Sequence, residues 1–208
     1  MPPDPAYSES VNRLIDQFAQ LPGIGRRTAG RLAFHILKAN PNDALALSTA
    51  IRDVKSNVRN CSICYHLTEA DPCPICADPR RNQRQILVVE QPRDVINLEQ
   101  THAYRGAYHV LLGHLAPLEG VGPETLTIQA LLNRVTQAQQ QNQQLEIILG
   151  TNPNMEGDGT ALYLADLLTK HKHVSTTRLA RGLPSGSQLE FANKAVLSDA
   201  INSRQPMQ

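Results

Sequence analysis

The sequence predicts a multidomain α/β protein, and three observations lead there. The first quarter of the chain holds amphipathic helical patterns broken by a Pro/Gly turn. All four cysteines then crowd into one short segment. From Ile86 onward, short apolar runs rich in β-branched residues alternate with helical patterns. Such alternation favours a mainly parallel sheet flanked by helices. The 208 residues suffice for one large domain or a few small ones, and the boundaries read as 1–56, 57–80, 81–178 and a C-terminal segment 179–208.

In SESVNRLIDQFAQ (residues 8–20), Val11, Leu14, Ile15 and Phe18 recur at helical spacing. LPGIG (Leu21–Gly25) breaks that pattern. RRTAGRLAFHILKAN resumes it, with Ala29, Leu32, Ala33, Ile36 and Leu37 on one face. Asn42 to Val58 predicts a third helix capped by Asn42 or Asp43. The cysteine segment ends near Ala77, and DPRRNQR reads as a linker. ILVVE, YHVLLG and LEIILG predict strands, and HVSTTRLA a weaker fourth. ETLTIQALLNRVTQAQ predicts a helix among them. QAQQQNQQ (Gln137–Gln144) is low in complexity and reads as a frayed helix end or mobile loop. A short helix is expected near Lys194–Ile201, and no internal repeat is evident.

Charge is unevenly spread beneath a net of +1. Ile24–Arg59 carries seven Lys/Arg against two Asp/Glu, Ile86–Asp166 nine acids against three bases, and Leu167 to the end six bases against two acids. The basic N-terminal stretch is suited to phosphate, or is simply a set of solvated helix faces. Aromatics make up only 4% with no Trp, which argues against an extended base-stacking platform. No run approaches the ~20 apolar residues of a membrane helix. MPPDPAYSES lacks the apolar core of a signal peptide, so a cytoplasmic location without membrane contact is expected.

The cysteines lie at Cys61, Cys64, Cys73 and Cys76, two C-x-x-C pairs eight residues apart. Four thiolates so spaced suit one tetrahedral Zn²⁺ and leave no open position for water, so the site is expected to be structural. Redox use of the pairs would call for a strand–helix setting like that of thioredoxin, which neither pair has. His66 reads as a surface loop residue rather than a ligand.

Helix, LPGIGRRTAGRL, helix has the shape of a helix-hairpin-helix unit. Its glycines permit a tight turn and close approach of a phosphate. The free N–H groups opening the second helix favour an anion. Arg27 and Arg31, four apart, share a face, and Arg26 adds charge at the turn. This predicts a grip on DNA phosphates that reads no base sequence. The alternative is an ordinary helical corner with solvated arginines.

TNPNMEGDGTALYL places Glu156 and Asp158 between an apolar run and a helix. Acids at such a join hold Mg²⁺ in enzymes that process nucleic acid. They are equally suited to a helix start, with Asp158 capping a helix from Gly159–Thr160 and Glu156 favoured by its dipole.

Taken together, the glycine hairpin, the four-Cys segment, and VVEQPRDV, YRGAYHVLLGHLAPLEGVGP, TNPNMEGDGTALYL and LARGLPSGSQLEFAN resemble the bacterial RecR family over essentially the whole chain. Arg26 departs from the small turn residue common there, and the Gln-rich stretch is unusual. The resemblance implies a Toprim domain in the α/β part and no enzyme activity. It implies a dimer-to-tetramer ring that encircles DNA, both single-stranded gaps and duplex, at the nucleoid. It also implies action with RecO- and RecF-type proteins to load RecA. By motif position, Arg27 and Arg31 fall among DNA contacts, Glu90 matches the glutamate ending the first Toprim strand, and Asp94, Glu156 and Asp158 match acids linked to partner binding. The first acid of the usual D-x-D pair is here Glu156. The readings kept beside it are Mg²⁺ bound at these acids without catalysis, and a Mg²⁺-dependent Toprim nuclease.

Overall fold

The computed structural model describes residues 7–204 and 206. The chain divides into two compact units, Met1–Val58 and Arg59–Gln208.

The first unit is helical. α1 (Glu9–Ala19) and α2 (Arg26–Lys38) pack through buried Ile15, Ala29 and Ala33, with Val11, Leu14 and Phe18 around them. The two alanines let the backbones approach closely, and the larger side chains of α1 fill the remaining space. Gly23, at φ +78°, takes the left-handed conformation that the turn requires, whereas Gly25 is extended and serves as the N-cap of α2. Leu37, expected on the inner face, is exposed because the α2 surface packed on α1 is only as wide as Ala29 and Ala33.

α3 (Pro41–Asn57) starts earlier than expected. Asn40, not Asn42 or Asp43, is the cap: its side chain accepts from the Asn42 N–H at 2.9 Å, and Pro41 fills the first helical position. None of its residues is buried, and Leu45, Leu47, Ile51 and Val54 face outward.

The second unit opens with the cysteine segment. β1 (Arg59–Asn60) pairs antiparallel with β2 (Leu67–Thr68), followed by the single turn α4 (Pro74–Ala77). Then come β3 (Asn82–Val89), α5 (Pro92–Gln100), β4 (Gly106–Val110), α6 (Ile128–Gln140), β5 (Leu145–Leu149), α7 (Met155–Thr169), β6 (Val174–Arg178) and α8 (Lys194–Asn202). The strands form one parallel sheet in the order β4-β3-β5-β6.

Side-chain alternation divides the core between the two faces of the sheet. Ile86, Val88 and Ile147 meet Leu131 and Val135 of α6 and Leu164 and Leu168 of α7. Leu87, Val89 and Tyr108 meet Val95 and Leu98 of α5, together with Tyr65 and Ile75 of the cysteine segment.

The expected linker DPRRNQR is shorter than its composition suggests. Asn82–Arg84 are strand, because Asn82 pairs with Gly106 and its N–H donates to the Arg105 carbonyl at 2.9 Å. In the Gln-rich stretch the helix runs to Gln140, held by buried Ala138 and by Gln139, whose amide donates to the Lys172 carbonyl at 2.7 Å. Among the described residues no helix is long and apolar enough to cross a membrane.

Candidate functional site

The four cysteines converge. Their sulfurs all lie within 4.8 Å of one another, and Cys64 Sγ and Cys73 Sγ are 3.6 Å apart. Cys61, Cys64 and Cys73 are fully buried. The backbone aims donors at the sulfurs: Cys73 N–H reaches Cys61 Sγ at 3.3 Å, and Cys76 N–H reaches Cys73 Sγ at 3.4 Å. Such bonds favour thiolates.

The Cys64 thiol is pulled down to about 5, chiefly by its hydrogen bond with Cys76, while burial pushes Cys73 up to about 11. Cys76 is pushed up by the same bond with Cys64. Four sulfurs this close cannot all ionise unless a cation lies among them, which is the chemistry a tetrahedral zinc ion supplies. The donor set therefore fits zinc.

The cluster is tied to the sheet. The Cys64 carbonyl accepts from Val110 N–H at 2.8 Å, covering edge strand β4, and the Tyr65 ring meets the His109 ring edge-on at 5.5 Å. Arg134 lies against the same strand, donating to the Tyr108 carbonyl at 2.7 Å and to His109 Nδ1 at 3.4 Å. Burial pushes its guanidinium down, and nearby Cys76, Cys64 and Cys61 oppose that shift. Burial and Arg134 hold His109 down at about 3, so the ring is neutral. His66 lies in a loop and outside the sulfur cluster, as expected, but is half-buried: its carbonyl accepts from Cys61 N–H at 2.8 Å, which holds the loop against the cluster.

The basic residues of the hairpin differ among themselves. Arg26 pairs with Asp16 at 3.0 Å across the α1–α2 turn. Arg27 and Arg31 are exposed and have no ion pair among the described residues. They line a groove of about 690 Å³ with Tyr7, Phe34, His35 and Lys38. Sequence reading missed the last four, although Lys38 continues the Arg27/Arg31 helical spacing.

The acids do not gather into a metal site. Among the described residues the four cysteines alone bring three or more such ligand atoms within 4.8 Å of one another. Glu90, only 2% exposed, closes the end of β3. Its carboxylate accepts from Asn152 N–H at 2.8 Å, from Asn152 Nδ2 at 2.6 Å and from His114 Nδ1 at 3.2 Å. It thereby pins the loop between β5 and α7. Gly157 permits this, since a Cβ there would lie 2.8 Å from Glu90 Oε1.

Asp94 accepts from Gln91 N–H at 2.7 Å at the start of α5. Glu156 is exposed in the first turn of α7. Asp158 is bound by Arg178 at 2.5 Å and by Arg181, and Arg181 first, then Arg178, holds its carboxyl below the usual carboxylate range. The expected cap at Asp158 is not the one used. α7 begins at Met155, and Asn154 caps it, its side chain accepting from Gly157 N–H at 2.8 Å. Asp158 is already inside the helix, where it is free to meet the arginines.

A glycine-turned helical hairpin, a four-thiolate centre and a parallel sheet whose strand-end acids are hydrogen-bonded within the protein define a class of modular nucleic-acid-associated proteins. Family models match in the same order: the RecR helix-hairpin-helix at residues 11–55, the RecR four-cysteine zinc finger domain at 58–78 and a Toprim domain at 84–180. The recombination protein RecR of Rhodopirellula baltica is 50% identical over 199 residues, covering 96% of this chain and 98% of that protein. Those of Syntrophotalea carbinolica and Pelotomaculum thermopropionicum are 47% and 49% identical over 201 residues, each covering 97% of this chain and 98% of the relative. The chain belongs to the RecR family, which sets its role in recombinational DNA repair. The converged cysteines form its zinc site.

Proposed function

We propose that the chain is a non-enzymatic mediator of recombinational repair that grips DNA by its phosphates. The observation that carries this reading is the exposed pair Arg27 and Arg31 on the first turns of α2, unpaired among the described residues of a RecR-family chain. The start of α2 adds its free N–H groups, and the grip is blind to sequence. One zinc per chain holds the cysteine segment to the Toprim sheet. Mg²⁺ has no role in this reading, because Glu90 and Asp158 give their oxygens to Asn152, His114, Arg178 and Arg181.

The protein acts as a ring of dimers around DNA, at gaps and on duplex, in the cytoplasm at the nucleoid. The outward Leu45, Leu47, Ile51 and Val54 of α3 support oligomer contacts, with residues 179–208 contributing others. It works with RecO- and RecF-type proteins to promote RecA loading. Exposed Glu156 offers them a docking charge, while half-buried Asp94 stays engaged with the Gln91 N–H; Arg26, paired with Asp16, leaves the phosphate contacts to Arg27 and Arg31.

Gapped circular DNA incubated with the protein, with and without Mg²⁺, tests this. Retarded but uncut DNA is expected. Mg²⁺-dependent nicks that vanish in Glu156→Ala would overturn the non-enzymatic reading. Replacing Arg27 and Arg31 by Ala should weaken binding evenly across sequences and flatten the log–log salt dependence by about one unit per lost contact. An unchanged slope would remove these two arginines from the interface.

A further inference from the structure

We propose that the α2 groove holds an unpaired nucleobase as well as phosphates, with Tyr7 as its stacking surface. This deepens the DNA-grip reading and rests on it. The cations and the aromatics of the groove are interleaved. Arg27, Arg31 and Lys38 lie along the side of α2 that lines it, and Phe34 falls between Arg31 and Lys38. At 1.5 Å rise per residue, the three cations extend over about 16 Å of helix. Tyr7, just ahead of α1, meets the Phe34 ring edge-on at 5.5 Å between centroids. Both residues are over a third exposed, at 39% and 37%. Phe34 thus fixes the Tyr7 ring while leaving part of its surface open to the groove.

A row of cations alone would suit any phosphate backbone. An open aromatic face beside it selects further, because duplex bases already stack on one another and an unpaired base has a free π-face. Aromatics are scarce in this chain, and that scarcity rules out a continuous platform but not a single ring set between cations. The ligand class is therefore single-stranded DNA, taken by its backbone at the arginines and by one base at Tyr7.

The test measures full-length, zinc-loaded protein at fixed salt against an oligothymidylate, the same oligomer with abasic sites, and a duplex of equal length. Tyr7→Ala should weaken oligothymidylate binding by about tenfold, within the range for one stacked base. It should leave duplex binding and the salt slope unchanged. Tyr7→Phe should retain the parent affinity. The parent should bind the abasic strand as weakly as Tyr7→Ala binds the intact one. The Tyr7 carbonyl, not its ring, accepts from Asn12 Nδ2 at 3.3 Å, so these changes keep that bond. Equal loss on single strand and duplex, or no loss on either, would overturn the base contact and leave the phosphate grip standing. A parent that binds none of the three DNAs would overturn the grip itself, and the base contact with it.

Discussion

In the helical unit, Arg27 and Arg31 reach solvent with no ion pair among the described residues, whereas in the sheet unit Glu90, Asp94 and Asp158 give their oxygens to neighbours in the same unit. Both regions look in sequence like concentrations of charge awaiting a ligand. The first keeps Arg27 and Arg31 available, whereas of Glu90, Asp94, Glu156 and Asp158 only Glu156 is exposed. The cores differ in the same sense. α1 and α2 bury one isoleucine and two alanines, while the sheet buries apolar side chains on both faces. Buried surface and internal hydrogen bonds hold the sheet unit together, and the helical unit presents side chains outward. Charge concentration in a sequence therefore indicates a binding surface only after internal partners have been counted.

Zinc removal should widen this contrast most. Structural zinc in short segments contributes about 10–16 kcal/mol, so Cys61→Ser or strong chelation should unfold the cysteine segment. Tyr65 and Ile75 would then leave the sheet core. Hydrogen exchange should show lost protection in β3 and β4 and unchanged protection in α1 and α2. A folded, zinc-free Cys61→Ser protein would contradict the structural role.

Acid should come next. His109 has its pKa lowered to about 3 when folded, against an ordinary value near 6.5. The unfolded chain thus binds a proton that the folded chain refuses. The stability held above pH 6.5 is lost progressively as pH falls toward 3, by roughly 3–5 kcal/mol from this one group. Denaturant titrations of the parent and His109→Gln should diverge over that window, with the variant less pH-dependent. Parallel curves would remove His109 from the account.

Glu90→Ala should cost about 2–4 kcal/mol, since it strands the Asn152 and His114 donors, and loosen the Asn152–Asn154 loop. Glu156→Ala, on an exposed side chain, should stay within about 0.5 kcal/mol. Equal losses at the two positions would erase the distinction between a buried staple and a surface acid. Arg181→Ala should be smaller than Glu90→Ala, within about 1 kcal/mol, because its pair with Asp158 is partly exposed and screened. In a chain of this length that is a drop of about 2–4 °C in thermal midpoint.

Much of the architecture is legible from residue spacing. Val11, Leu14, Ile15 and Phe18 announce α1, the β-branched runs announce β3 to β5, and the two C-x-x-C pairs announce the sulfur cluster. These signals are local. Helix and strand periods are properties of consecutive residues, and the cysteine pairs need only one short loop to bring them together.

What the sequence leaves undecided concerns groups far apart in the chain. Glu90 lies 62 residues from Asn152, and Asp158 lies 20 and 23 residues from Arg178 and Arg181. Nothing local marks those acids as taken. Asn154 displaced Asp158 as a cap because the loop pinned by Glu90 sets where α7 begins. Tyr7 and Phe34 are 27 residues apart and become a pair only when α1 folds back on α2. The sequence by itself determined the elements, the zinc ligands and the family. Tertiary structure decided which charges remain free, because a charge is neutralised by whatever the fold brings within a few ångströms of it, and chain order does not reveal that distance.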